Sequence, residues 1–129
     1  MLNYIKGTND IQYFLDSANG LHDGKIVSVQ YNDQAIKITD DIIYCDPFNN
    51  KLTIQVLVTS IYNTIIEIEF ENVLEWQVKC GQFEILDCSI FFNKQNLIVW
   101  YDDINLNEDQ IKNTSYVIAE SMKWCVINE

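Results

Sequence analysis

The stretch KLTIQVLVTSIYNTIIEIEF, residues 51–70, decides the fold. In its first half two series of side chains alternate along the chain. One series is Leu52, Ile54, Val56 and Val58, and the other is Thr53, Gln55, Leu57 and Thr59. Its second half alternates Ile66, Ile68 and Phe70 with Glu67 and Glu69, and Glu71 follows directly and continues the acidic series. A period of two residues with one apolar series is typical of strands that bury one face and leave the other wet. We therefore predict two antiparallel strands joined through Tyr62 and Asn63.

Further strand-like segments lie on both sides of this hairpin. Short turns rich in Asn separate them, and the predicted strands cover residues 26–31, 35–39, 83–92, 97–101 and 116–127. We expect the first two to form a hairpin around residues 32–34 and the next two a hairpin around residues 93–96. In the last strand we predict one shared face for Ile118, Met122, Trp124 and Val126. Residues 73–79 fit either a strand or a short helical turn.

One segment has the period of an α-helix. Ile11, Phe14, Leu15 and Ala18 recur at positions i, i+3, i+4 and i+7, which is the apolar stripe of an amphipathic helix. We predict Asn9 or Asp10 as its N-cap and Gly20 as a left-handed stop. The helix is expected to cover an open face or end of the sheet and so protect an edge.

Together these patterns predict an α+β fold that is mainly antiparallel β. The expected architecture is a meander sheet closed as a barrel or folded as a sandwich, with one N-terminal helix. A chain of 129 residues with one proline and four glycines has no evident linker. We therefore predict a single domain over residues 1–129.

The sequence also predicts a compartment. No stretch approaches the roughly 20 apolar residues of a membrane helix, and residues 1–10 have no signal-peptide pattern. The cysteines, Cys45, Cys80, Cys88 and Cys125, form no C-x-x-C pair. We expect a cytoplasmic protein that does not bind membranes and whose cysteines are small apolar residues rather than disulfide partners.

The charge is strongly asymmetric. The chain carries 19 acidic residues against 8 lysines, has no arginine, and has a formal net charge of -11. Nucleic acids are bound by Lys and Arg side chains that neutralise phosphates, so nucleic-acid binding is not expected. A negative field attracts basic protein partners. Many Ile, Asn and Lys residues without Arg are also typical of AT-rich bacterial genomes, and acidity alone favours solubility.

The single histidine, His22, lies beside Asp23 just before the first strand. Adjacent residues on a strand point to opposite faces, so a His–carboxylate dyad would need a turn of the backbone between them. No spacing brings a nucleophile to this histidine, and we predict no catalytic residue. His22 and Asp23 are interpreted as a ligand contact or a structural corner. Trp100 and Trp124 either line an aromatic pocket near them or belong to the core, which is the commoner place for such rings.

Carboxylates supply two further candidates. The pairs Asp40–Asp41 and Asp102–Asp103 do not have the spacing of a calcium loop, so no metal site and no cofactor are predicted. Glu67, Glu69 and Glu71 share one strand face, where like charges repel unless lysine or a basic partner opposes them. These glutamates are our candidate partner-binding residues, although a solvated outer face is the commoner explanation.

Three short motifs precede a late strand that contains Trp. They are Phe14-Leu15, Leu21-His22-Asp23-Gly24 and Phe70-x-Asn72-Val73. This arrangement resembles small acidic bacterial proteins of unknown function, some of them similar to immunity proteins, which bind and neutralise a partner toxin. The resemblance implies a non-enzymatic role in binding a basic partner, and it implies no site residues. The alternative is a small-ligand-binding or weakly enzymatic β-barrel with an aromatic pocket near His22. A third hypothesis is a subunit that assembles through a strand edge.

Overall fold

The computed structural model describes residues 2–33, 36–38, 43–45, 50–61, 64–79 and 84–127. The helices are α1 (Thr8–Ser17) and α2 (Glu108–Ile111), and single 3-10 turns cover Asn19–Leu21 and Thr59–Ile61. The strands are β1 (Asn3–Tyr4), β2 (Gly24–Asp33), β3 (Ile36–Ile38), β4 (Ile43–Cys45), β5 (Asn50–Val58), β6 (Thr64–Gln77), β7 (Ser89–Phe92), β8 (Ile98–Tyr101) and β9 (Tyr116–Ile127). The fold is α+β and mainly antiparallel, as predicted.

One antiparallel sheet contains most of the strands. Its order is β2-β5-β6-β9-β8-β7, and β1 pairs with β9 beyond the end of β8. Strand β9 therefore has three neighbours, β6, β8 and β1, although it follows all of them in the chain. The strands β3 and β4 form a separate two-stranded sheet.

The sheet is not closed as a barrel, so the predicted closure is not confirmed. In the part of the chain that the structure describes, β2 and β7 each have a ladder partner on one side only. Among the described residues, one isolated bridge links the start of β2 to the segment before β7, where the amide of Ile85 donates to the carbonyl of Gly24 at 2.7 Å. One bridge leaves most of β2 as an edge, and residues 28–33 of this strand are exposed.

The predicted first hairpin is wrong. Strand β2 pairs with β5, from Gly24 opposite Val58 to Asp33 opposite Asn50, whereas β3 pairs with β4. A period of two identifies strands but carries no information about which strand lies alongside, and here a long pairing with β5 replaces the short local one. The predicted turn lies partly outside the described residues, at position 34.

The predicted central hairpin and the predicted hairpin around residues 93–96 are confirmed. Strands β5 and β6 are antiparallel, and β7 and β8 form the hairpin expected around residues 93–96. Strand β6 continues to Gln77, which settles residues 73–77 as strand. The apolar series of β5 and β6 is fully buried, namely Leu52, Ile54, Val56, Val58, Ile66, Ile68 and Phe70.

Helix α1 packs on this inner face of the sheet. Phe14 is fully buried and meets the ring of Trp124 edge-on, with 5.2 Å between ring centroids. The helix begins after Gly7, not at the predicted caps, because the side chain of Asp10 turns back and accepts from the amides of Lys6 and Gly7 at 2.9 and 3.2 Å. The helix ends at Ser17 with Ala18 as C-cap, before the predicted stop at Gly20, although Gly20 has the predicted left-handed conformation, with φ of 62°.

The prediction that Ile118, Met122 and Trp124 share one face of β9 is wrong. Met122 and Trp124 face the inner core, but Ile118 packs with residues on the outer face. The change of face coincides with Asn72 on β6, which has φ of 54°, and with a register shift between Val73 and Glu75. A bulge of this kind re-aims every following side chain. Val126, predicted on the same face, is 45% exposed.

A second apolar cluster lies on the outer face, beneath α2. It contains Val99, Tyr101, Ile111 and Tyr116, with Phe91, Leu106 and Ile118 packed against it. Helix α2 is capped by Asn107, whose side chain accepts from the amide of Gln110 at 2.8 Å. Strand β8 is consequently buried on both faces.

Candidate functional site

Glu67, Glu69 and Glu71 lie in one line on the outer face of β6, as predicted. The residues between them point into the core. The line is flanked by β5 and β9, where Lys51 is opposite Glu71, Thr53 and Lys123 are opposite Glu69, and Gln55 and Cys125 are opposite Glu67. The register therefore brings lysines from two neighbouring strands against an acidic strand.

These lysines form a charge ladder with the glutamates, consisting of Lys51, Glu69, Lys123 and Glu71. Nζ of Lys123 lies 2.6 Å from Oε2 of Glu69 and 2.9 Å from Oε1 of Glu71. Nζ of Lys51 lies 3.4 Å from Oε1 of Glu69. The side chains of Lys123 and Glu69 are only 16% and 20% exposed. The hydrogen bonds that Lys123 donates to Glu69 and Glu71 raise its pKa, so this lysine stays charged.

Glu69 is the centre of the ladder. Burial raises the pKa of its carboxyl, but the hydrogen bonds and charges of Lys123 and Lys51 outweigh burial and hold the pKa below the ordinary value. Glu67 has different neighbours, since its carboxylate accepts from Nε2 of Gln55 at 3.1 Å and faces Sγ of Cys125 at 3.9 Å. Among the side chains described on this face of β5, β6 and β9, the three carboxylates of β6 outnumber the two ammonium groups.

The His22 corner is held by backbone contacts. Nδ1 of His22 lies 2.5 Å from the carbonyl oxygen of Leu86, and Nε2 lies 3.7 Å from Oδ2 of Asp23. The neighbouring side chains meet because Asp23 is left-handed, with φ of 58°, which supplies the turn that a dyad would need. The carbonyl of Leu86, followed by the charge of Asp23, raises the pKa of His22.

The backbone of this corner is strained. Positive φ values occur at Asn19, Gly20, Leu21 and Asp23, and each such residue other than glycine costs about 1–3 kcal/mol. Hydrogen bonds hold the corner in place, from Ser60 Oγ to the His22 carbonyl at 2.8 Å and from the Cys88 amide to the Gly20 carbonyl at 3.0 Å.

Cys88 does not supply a nucleophile to this histidine. It is buried, and burial raises the pKa of its thiol to about 12. A thiol with so high a pKa stays protonated and unreactive at neutral pH. Cys88 and Cys125 are free thiols, whereas the side chains of Cys45 and Cys80 lie outside the described residues.

Trp100 and Trp124 belong to the inner core, at 0% and 3% exposure. Trp100 packs against Phe70 with 6.3 Å between ring centroids, and Trp124 packs against α1. His22, with 47% of its side chain exposed, lies at the surface. The structure therefore does not bring these tryptophans and His22 to one open pocket.

The acidic pairs have structural contacts. Oδ1 of Asp102 accepts from the amide of Ser115 at 3.1 Å, and Oδ1 of Asp103 accepts from the amide of Ile104 at 2.8 Å. Asp40 and Asp41 lie outside the described residues. Across the described parts of the chain, no group of three or more His, Cys, Asp or Glu residues is arranged to hold a metal ion.

A small pocket lies on the outer face beside α2, and sequence reasoning missed it. Its floor is one row across three strands, since Phe91 is opposite Val99 and Val99 is opposite Ile118. The signal in the sequence is the uninterrupted apolar runs of β7 and β8, which indicate strands covered on both faces.

Comparison of the chain with protein-family models, curated proteins and solved structures gives no match. Among the helices that the structure describes, none has the length and apolar character needed to cross a membrane.

Proposed function

We propose that this protein is a non-enzymatic, immunity-like protein that binds a basic partner protein through the outer face of its sheet. The observation that carries the proposal is the acidic line of β6, in which Glu67, Glu69 and Glu71 outnumber the two lysines that reach them among the described side chains. An immunity-like protein would neutralise its partner by occupying a basic surface, and such complementarity also speeds association.

The charge ladder supports this role because it fixes the carboxylates before a partner arrives. Side chains already held in one geometry lose little conformational entropy on binding. Lys123 forms ion pairs with Glu69 and Glu71, whereas Glu67 forms no ion pair with a lysine among the described residues. We infer that Glu67 offers its charge most directly, and that Glu69 and Glu71 share theirs between Lys123 and the partner.

Affinity capture from the native lysate at low and at high salt tests the proposal. We expect basic proteins to be retained at low salt and released at high salt, because screening weakens contacts between exposed charges. The informative variant is the triple substitution Glu67→Gln, Glu69→Gln and Glu71→Gln. Its control, Asp16→Asn, Asp103→Asn and Asp109→Asn, changes the net charge equally at other sites.

The expected result is loss of the partner from the glutamate variant and retention by the control. Equal loss from both variants would mean that only total charge matters, which contradicts a defined face. Retention by both would place the interface elsewhere. Urea unfolding of each variant separates a binding defect from a folding defect.

The ligand-binding or enzymatic alternative has no specific observation in its favour. It requires an aromatic cavity near His22, and both tryptophans proposed for that cavity are enclosed by core residues.

A further inference from the structure

The pocket beside α2 lies on the same outer face as the charge ladder. Strand β6 carries Glu71 and, after the bulge, Glu75 on this face, and Glu75 is opposite Ile118 in the pocket floor. The acidic line of β6 therefore leads to an apolar depression. Interfaces commonly combine a polar surround with an apolar anchor in a pocket.

The shape of the pocket limits what it can hold. Phe91, Val99 and Ile118 form the floor, and Ile111 with Glu108 and Lys112 of the α2 segment forms the wall. The volume is about 90 Å³, which is well below the roughly 300–1,000 Å³ typical of sites for small-molecule ligands. Such a space suits one side chain of a larger partner.

The charges at the rim of the pocket indicate which residues of the partner would lie next to the bound side chain. Lys112 is already engaged, with Nζ 2.5 Å from Oε2 of Glu75 and 4.8 Å from the centre of the Tyr116 ring. The hydroxyl of Tyr116 donates to the same carboxylate at 2.8 Å. Glu108, by contrast, is exposed and forms no ion pair with any lysine whose side chain the structure describes. The rim consequently presents a negative charge.

We propose that this pocket binds one aliphatic side chain of a basic protein partner, next to a Lys or Arg that pairs with Glu108. The inference rests on the proposed function and adds to it a recognition element, an apolar residue flanked by basic ones. The acidic line of β6 supplies general attraction, and the pocket selects among basic sequences.

The test uses two short peptides as probes, one with a leucine between lysines and one with serine in its place. Binding is followed by amide NMR shifts of Val99, Ile111 and Ile118 at low salt. Burial of a leucine side chain predicts binding about tenfold or more tighter for the leucine peptide. Glu108→Lys is compared with Asp109→Lys, which changes the net charge equally one residue outside the pocket lining.

We expect Glu108→Lys to weaken binding of both peptides several-fold, because it removes the carboxylate that pairs with their lysines, and Asp109→Lys to weaken binding less. Both variants should keep the preference for leucine, because the apolar floor sets it. If both peptides bind equally and the two variants behave alike, the pocket proposal is overturned while the acidic face stands. If neither peptide binds at low salt, both proposals fail. Shifts confined to residues outside the pocket also contradict the inference.

Discussion

Strands β5 and β8 belong to one sheet but are covered differently. The inner residues of β5 are fully buried, and its outer residues Thr53 and Gln55 are half-buried polar side chains. In β8 the inner Trp100 and the outer Val99 are both buried, because α2 covers the second face. The outer face is therefore polar and charged at one end and apolar at the other, and the apolar end is where a pocket forms.

The sharpest way to test this contrast is the same substitution on the outer side of each strand. Val99→Asp would place an unpaired carboxylate in the second cluster and lower the free energy of unfolding by roughly 4 kcal/mol or more. Thr53→Asp would put its charge on the wet face, opposite Glu69, and cost less than about 1 kcal/mol. Urea unfolding of both variants measures the difference. Similar losses would show that the two outer faces are not distinct.

Replacing one lysine at a time compares how much two ion pairs on the outer face contribute to the free energy of unfolding. Lys123→Met breaks the partly buried ladder and is expected to cost about 1–2 kcal/mol, between the values typical of surface and buried pairs. Lys112→Met breaks the pair with Glu75, in which both side chains are nearly half exposed, and should cost less than about 1 kcal/mol. A larger loss for Lys112→Met, measured by urea unfolding, would reverse the ranking.

The ladder also predicts a pH dependence. The folded-state pKa of Glu69 lies below its ordinary value of 4.5. Its contribution to stability is therefore fully present above pH 4.5 and is lost as the pH falls through the lower folded pKa. We expect Glu69→Gln to flatten the fall of the urea midpoint in this acid range. The prediction fails if the wild type and the variant lose stability in parallel.

The smallest effect on stability is expected for substitution of His22, which lies outside both the charge ladder and the second apolar cluster. Its folded-state pKa is raised above 6.5, so its contribution is fully present below pH 6.5 and is lost as the pH rises through the folded value. His22→Ala should remove this shallow step from a plot of urea midpoint against pH. A step of unchanged size in the variant would assign it to another group.

Much of β5 and β6 could be predicted because alternation records burial on one face directly, as Ile68 between Glu67 and Glu69 illustrates. The partner of β2 could not, since pairing is decided between segments that are distant in sequence. The face of Ile118 depended on the left-handed Asn72 and on the register shift between Val73 and Glu75, neither of which a local sequence pattern predicts. At the candidate site the shared face of the three glutamates could be predicted from the sequence, but the lysines that pair with them could not. Their contact depends on the register of three strands, which is a tertiary property.

The position of β9 has a consequence for synthesis of the chain. This strand bridges β6 and β8 and also pairs with β1, yet it emerges from the ribosome after all of them. Until it emerges, β6 and β8 each present an unpaired edge towards the other, and the early hairpins cannot share one core. The β2-β5-β6 part and the β8-β7 part of the sheet can therefore join only after β9 has been synthesised.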